Sequence, residues 1–401
     1  MSANGQRDVW VTGIGLSSSI GDGAEEHWTR LGNPTTQELR TKSRAGHLIF
    51  PAAAVDLARH IPNRLDAKRW GAVQSLGVHA AGDALVNAGL KGSTELLART
   101  LVVVAGVGGE RDVALDHSIF RDPTRFENSS ELNRKIVVGM RPSLFLAQLP
   151  NLLAGNISIT FGVAGGSRTV MGEELAGVNA MLIARQLVAD RAYDVALVGG
   201  SFAADREDLL LLYGFGGFLW LGDPIPVWSR AEAGGGVTLG TMSAFLVLEG
   251  ADHAQTRNAN PLCRLVRIGA SHSRRNPGDV TRVLSAQWDD SSPNGMIGII
   301  SGASGVAPIT DEERAALTQF ASLPVRTPGS LTGHGMEASF PFNVALASLA
   351  LQHGTFYPPF PGDALDPSPL SPLGRVVVTS VGHWRGESLA ILESIGSEEK
   401  R

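Results

Sequence analysis

Val9-Trp10-Val11-Thr12-Gly13-Ile14-Gly15 opens the regular part of this chain. Leu262-Cys263-Arg264-Leu265-Val266-Arg267-Ile268-Gly269 opens it a second time. Both runs are short, rich in β-branched residues and closed by glycine, the pattern of a strand buried on two faces. Similar runs follow the first opening at residues 101–106, 195–200 and 245–250. Others follow the second opening at 296–302, 375–379 and 388–393. Ala/Leu-rich stretches at 70–90 and 174–189 lie between them and predict helices. Alternating strands and helices imply crossover connections and a largely parallel sheet. Each pass closes on an apolar strand with a terminal glutamate, Glu249 and Glu393. This predicts an α/β fold made by internal duplication, with residues 1–252 as one half and 253–401 as the other.

Composition limits the function. The chain has 401 residues, 43% apolar and 18% charged, so it can fill a large core and is neither disordered nor a coiled coil. A net charge of −5 gives a nucleic acid no electrostatic footprint. One cysteine, Cys263, excludes an intrachain disulfide and a cysteine-based zinc centre. The ten histidines show no ligand spacing, so neither a metal nor a cofactor is expected. The longest apolar runs are about five to nine residues, against the roughly 20 a membrane span needs. The polar opening, Met1 to Arg7, lacks an export signal, and a cytoplasmic protein is expected.

Several motifs then fall in one order. Ile20-Gly21-Asp22-Gly23 and His27-Trp28 follow the opening strand, and Arg69-Trp70 leads into a helix ending Asn87-Ala88-Gly89-Leu90. Asn156-Ile157-Ser158-Ile159-Thr160-Phe161-Gly162 reads as a strand, and Thr332-Gly333-His334 comes late. Over residues 8–395 this series resembles the β-ketoacyl synthase family of the thiolase-like superfamily. The resemblance implies two duplicated βαβαβαββ halves forming a five-layered αβαβα sandwich. It also implies a dimer, paired through the strand that carries Asn156, Ile157, Ser158, Ile159 and Thr160.

The same resemblance locates a site and finds it altered. Active synthases carry a cysteine at a strand-to-helix elbow, where a helix N-terminus and nearby histidines make the thiol nucleophilic. Here the elbow segment reads Thr169-Val170-Met171-Gly172-Glu173-Glu174-Leu175, and two alignment anchors put Glu174 at the cysteine position. Cys263 lies on a strand and cannot replace it. A carboxylate there either serves as a charged group at a helix start or fills the vacated elbow by bonding its surroundings. The family's first catalytic histidine falls at Gly302 or Ser301, and its lysine at Gly329. The second histidine remains as His334, a structural remnant or a residual chemical group. The glycine-rich loop near the C-terminus reads Val381-Gly382-His383-Trp384-Arg385-Gly386-Glu387. Gly240-Thr241-Met242 replaces a further Gly-Glu-Gly motif.

No catalytic residue is therefore expected. The implied function resembles that of chain length factors: a non-catalytic subunit pairing with an active β-ketoacyl-ACP synthase in fatty-acid or polyketide elongation. The partners implied are that synthase and an acyl carrier protein (ACP). Two alternatives stay open. One is a malonyl-ACP decarboxylase. The other is a scaffold that docks acidic carrier proteins through Arg59, Arg64, Lys68 and Arg69.

Overall fold

The computed structural model describes residues 6–33, 40–43, 46–61, 70–109, 113–121, 127–139, 146, 148–288, 295–320, 323–360, 365 and 371–396. Ten strands carry the main sheet. The first five are β1 (Val9–Ser18), β2 (Leu101–Ala105), β3 (Gly166–Val170), β4 (Val195–Phe202) and β5 (Met242–Gly250). The second five are β6 (Cys263–Ser271), β7 (Met296–Ile300), β8 (Val325–Arg326), β9 (Leu373–Val381) and β10 (Glu387–Glu393). Their spatial order is β8-β7-β9-β10-β6-β1-β5-β4-β2-β3. Read outward from the centre, β1-β5-β4-β2-β3 matches β6-β10-β9-β7-β8 strand for strand. The halves meet where β1 runs antiparallel to β6, Trp10 opposite Arg264 and Val11 opposite Cys263.

The pairing directions repeat as well. β2 is parallel to β3 and β4, as β7 is to β8 and β9. The inner strands β1, β5, β6 and β10 pair antiparallel. The sheet is therefore mixed rather than largely parallel. Helices lie in the first three strand-to-strand connections of each half, while the closing strands β5 and β10 return antiparallel beside β4 and β9.

Seven helices supply the layers used below: α1 (Ala72–Asn87), α2 (Leu152–Phe161), α3 (Glu174–Ala189), α4 (Glu207–Phe215), α5 (Asp279–Gln287), α6 (Ile309–Leu317) and α7 (Ser339–His353). α3 and α7 touch each other and strands of both halves, so they form the middle layer. α1 and α2 cover the outer face of the first half, and α5 and α6 that of the second. The result is a five-layered αβαβα sandwich. Alternation along the strands explains why both faces are apolar. Val103, Ala105, Ala196 and Val198 enter the middle core with α3 and α7. Their neighbours Val102, Val104, Val195 and Leu197 enter the outer core under α1. Val376 and Val378 against Val377 repeat the device in the second half.

One sequence expectation fails. Asn156, Ile157, Ser158, Ile159 and Thr160 lie in the helix α2, not in a strand. The β-branched run misleads because burial follows a helical period: Leu153, Ala154, Asn156 and Ile157 face inward, while Ile159 is 85% exposed. Gly162 ends the helix in the left-handed conformation at φ 76°. The strand at this edge is β3, four residues further on. It pairs with β2 on one side and is the last strand of the sheet order.

β1 owes its position to glycine. A Cβ on Gly15 would stand 1.9 Å from the Ala80 carbonyl oxygen, so the strand backbone lies directly on α1. Gly15→Ala must push strand and helix apart. We expect it to lower unfolding free energy by about 2 kcal/mol or more in chemical denaturation. Gly92→Ala is the reference: it has φ +90° but open space around it.

Candidate functional site

β3 ends at Val170, and α3 begins four residues later at Glu174. The turn between them is sharp. Gly172 adopts φ 138° and Glu173 φ 57° with ψ −136°, a region that costs a non-glycine residue roughly 1–3 kcal/mol. Glu174 thus stands at a strand-to-helix elbow at the start of the middle-layer helix.

Its carboxylate is 3% exposed, and its charge is answered from the C-terminal loop. His383 Nδ1 lies 2.8 Å from Glu174 Oε1, and the His383 backbone N–H donates to the same oxygen at 3.3 Å. Burial alone would push this carboxyl up. The neighbouring His383 charge and contact, the His334 ring and the residue's own backbone N–H outweigh it and hold the group at about 2. The His334 ring centroid is 5.8 Å from that of His383. Burial takes His334 down to about 4 against the pull of Glu174, with His383 and Arg230 adding to the fall. It is neutral at pH 7. Its Nδ1 accepts from the Met336 N–H at 3.3 Å.

Other groups crowd the elbow. Burial pushes the Glu337 carboxyl up to about 8, and the charges of Glu174 and Glu173 add to the rise against its own backbone N–H. Its Oε2 is buried without a hydrogen-bond partner. Glu173 is also raised, by burial and by Glu174. Two carboxyls side by side are thus driven in opposite directions, one ionised and one protonated at neutral pH. Tyr213 from α4 stacks on Trp384 at 6.0 Å, and Phe218 stacks on His383 at 5.5 Å.

The remaining sequence positions lie on two segments that touch, one after β7 and one after β8. Gly302 donates its N–H to Thr379 Oγ1 at 3.2 Å, and a Cβ there would be 2.4 Å from the Thr379 carbonyl oxygen. No side chain of any kind fits that orientation without a backbone shift. Gly329 starts the short helix Gly329–Thr332, with Ala303 O and Val227 as ordinary van der Waals neighbours of a Cβ. Beside them Ser301 Oγ and Thr379 Oγ1 both donate to Glu313 Oε1, at 2.7 and 2.5 Å. Burial raises the Glu313 carboxyl, against the two hydroxyl hydrogen bonds that it accepts. The structure brings Glu174 and His334 within electrostatic reach of each other. His383, Glu337 and Glu313 were not foreseen as site residues. His383 is 209 residues from Glu174 in the chain, and only the fold closes that distance.

Cys263 is buried on β6, its thiol pushed up to about 12 by burial, and it donates to Ser348 Oγ at 3.3 Å. It is not at the elbow. Asp22, His79 and Asp83 form one group with the donor set of a metal site, hidden from sequence spacing because a hairpin and a helix supply it. Arg59 Nη2 stands among them, 3.1, 2.7 and 2.9 Å from Asp22, Asp83 and His79. The guanidinium supplies the positive charge there. Arg59 is thus engaged in that network; Arg64, Lys68 and Arg69 lie outside the described residues. Among the described residues, no helix is long and apolar enough to cross a membrane.

Comparison with known proteins adds to this geometry. Residues 6–254 match the family model "Beta-ketoacyl synthase, N-terminal domain", more than half of the chain. The chain belongs to the β-ketoacyl synthase family. It is 26% identical over 389 residues to the tetracenomycin polyketide synthase ketoacyl synthase beta subunit of Streptomyces glaucescens, covering 89% of this chain and 90% of that one. It is 25% identical over 301 residues to the 3-oxoacyl-[acyl-carrier-protein] synthase 2 of Vibrio cholerae, covering 71% and 67%. Among solved structures, the ishigamide ketosynthase/chain length factor superposes with TM-score 0.78 at 21% identity, over 98% of this chain and all of that one. A type II polyketide synthase carrier protein in complex with its ketosynthase matches with TM-score 0.75 at 18% identity, over 97% of this chain and all of that one.

The carboxyl pair predicts a pH effect of definite sign. Glu337 keeps its proton when folded up to about pH 8, whereas its unshifted value is 4.5. The unfolded chain releases that proton earlier, so this group costs stability increasingly as pH rises from about 4.5 to about 8. Glu337→Gln removes the cost. We expect it to match the parent near pH 4 and to exceed it near pH 7 by on the order of 3 kcal/mol in urea denaturation.

Proposed function

We propose that this chain is a ketosynthase-like subunit without condensing activity of its own, and that it pairs with an active β-ketoacyl-ACP synthase. The observation that carries the reading is the elbow. Where thiol chemistry needs a nucleophile beside a helix N-terminus, the chain places a buried, ionised carboxylate already paired with His383. A carboxylate does not exchange thioesters as a thiolate does, and the chain's single thiol is buried on another strand. The partner would supply cysteine, histidines and lysine. This chain would contribute the shared face and one wall of the acyl tunnel. Its likeness to a ketoacyl synthase beta subunit and to a ketosynthase/chain length factor supports that assignment.

The surface supports a partner as well. β3 is the last strand of the sheet among the described residues, and an edge strand is a template for another strand. Ile159 on α2, which packs on β3, and Met171 just after β3 are 85% and 54% exposed. Exposed apolar side chains beside an edge strand mark an interaction face. Co-expression with a synthase encoded beside it should give a one-to-one complex on size exclusion. Ile159→Arg with Met171→Arg should weaken that complex at least tenfold. A stable homodimer indifferent to every candidate synthase contradicts the reading.

One observation favours a second reading. His383 joins His334 next to the elbow, so the site holds two imidazoles where the sequence alone suggested one. Two imidazoles beside a carboxylate support malonyl-ACP decarboxylation, in which they would stabilise an enolate. Carbon dioxide release from malonyl-ACP above background, abolished by His334→Ala, would establish it. Release at the background rate rejects it.

A further inference from the structure

The loop 382–386 crosses the elbow as a short strap. Its inner side meets Glu174, whose Oε1 takes the His383 ring contact and the His383 N–H. Its ends are closed on each other by the Gly382 N–H donating to the Gly386 carbonyl at 3.0 Å. Gly386, at φ 91°, rests on Leu175, where a Cβ would stand 2.8 Å from Leu175 Cδ1. From the second half, Arg275 Nη2 donates to the carbonyls of Gly382 at 2.7 Å and Gly386 at 3.2 Å. The outer side faces solvent: Trp384 is 43% exposed and Arg385 is exposed. The strap is therefore held from beneath by the Glu174 carboxylate and from behind by Arg275, with solvent on its far side.

We propose that Glu174 is a latch: its contacts with the His383 ring and backbone N–H hold the 382–386 strap shut over the elbow and keep incoming groups away from it. This concerns contacts within the chain and does not depend on pairing. Its consequence for acyl traffic rests on the reading above: a carrier-borne arm would find this elbow closed and reach only the partner's thiol. The physical basis is the cost of an unpaired buried charge. While Glu174 is ionised, lifting the strap strips it of its partner in a low-dielectric site. Without the carboxylate that penalty for opening disappears, and Arg275 with the Trp384 stack must hold the strap alone.

The test places a thiol under the strap. Leu175→Cys puts it beneath Gly386, and N-ethylmaleimide labelling is followed by peptide mass. The native Cys263, buried on β6, serves as an internal control. With Glu174 intact we expect slow labelling of the introduced thiol. Adding Glu174→Ala should speed it at least tenfold while Cys263 labels at its former rate. Equal rates at the introduced thiol overturn the latch. Acceleration that extends equally to Cys263 reports general unfolding and overturns it too. If Glu174→Ala does not fold, Glu174→Gln decides: it preserves the shape and removes the charge, and the same tenfold acceleration is expected. All measurements use the full chain, so a failure to pair with a synthase leaves their outcome unaffected.

Discussion

A charged carboxylate buried at the start of the middle-layer helix is the constraint to which the surrounding structure answers. An isolated charge in that position would cost several kcal/mol. Here it is met by an imidazole and a backbone N–H from a loop more than two hundred residues away. That answer obliges the last two strands, β9 and β10, to bring their connecting loop over the elbow. Arg275, on the segment after β6, fixes the loop from the other side. Burial, with the charges of Glu174 and Glu173 adding to it, keeps the proton on Glu337. Charge at the elbow thus dictates loop position, and loop position closes the site.

The scaffold was far more legible than the site. Strands buried on both faces read as continuous apolar runs, and eight of them lie within a few residues of where glycine punctuation predicts. The duplication was legible for the same reason, and the mirrored strand order β1-β5-β4-β2-β3 and β6-β10-β9-β7-β8 makes it plain. The misreading of 156–160 has a local cause. Ile157-Ser158-Ile159-Thr160 has strand propensity, but Leu152-Leu153-Ala154 before it and Gly162 after it make a helix whose packing against α1 overrides that preference. The parallel character was overestimated because strand–helix alternation does not reveal that each half closes with antiparallel returns.

At the site, Glu174 and His334 were found because each sits inside a local motif. His383 was not, because the sequence showed only a glycine loop that had acquired bulky residues. What that bulk accomplishes appears in three dimensions: Trp384 stacks on α4, and His383 reaches the carboxylate. The vacated positions Gly302 and Gly329 are likewise not holes. Gly302 is closed by backbone at Thr379, and Glu313 beside it accepts hydrogen bonds from Ser301 and Thr379. The β-ketoacyl synthase family's layers are present, and at the elbow a buried carboxylate is met by the His383 loop.

The most direct test of this account is intact-protein mass spectrometry of the chain and its synthase partner after incubation with acyl-ACP. The account predicts that the acyl mass appears on the partner alone and that this chain's mass stays unchanged, whether it is alone or paired. An acyl adduct on this chain, mapped to the peptide that carries Glu174, would contradict it.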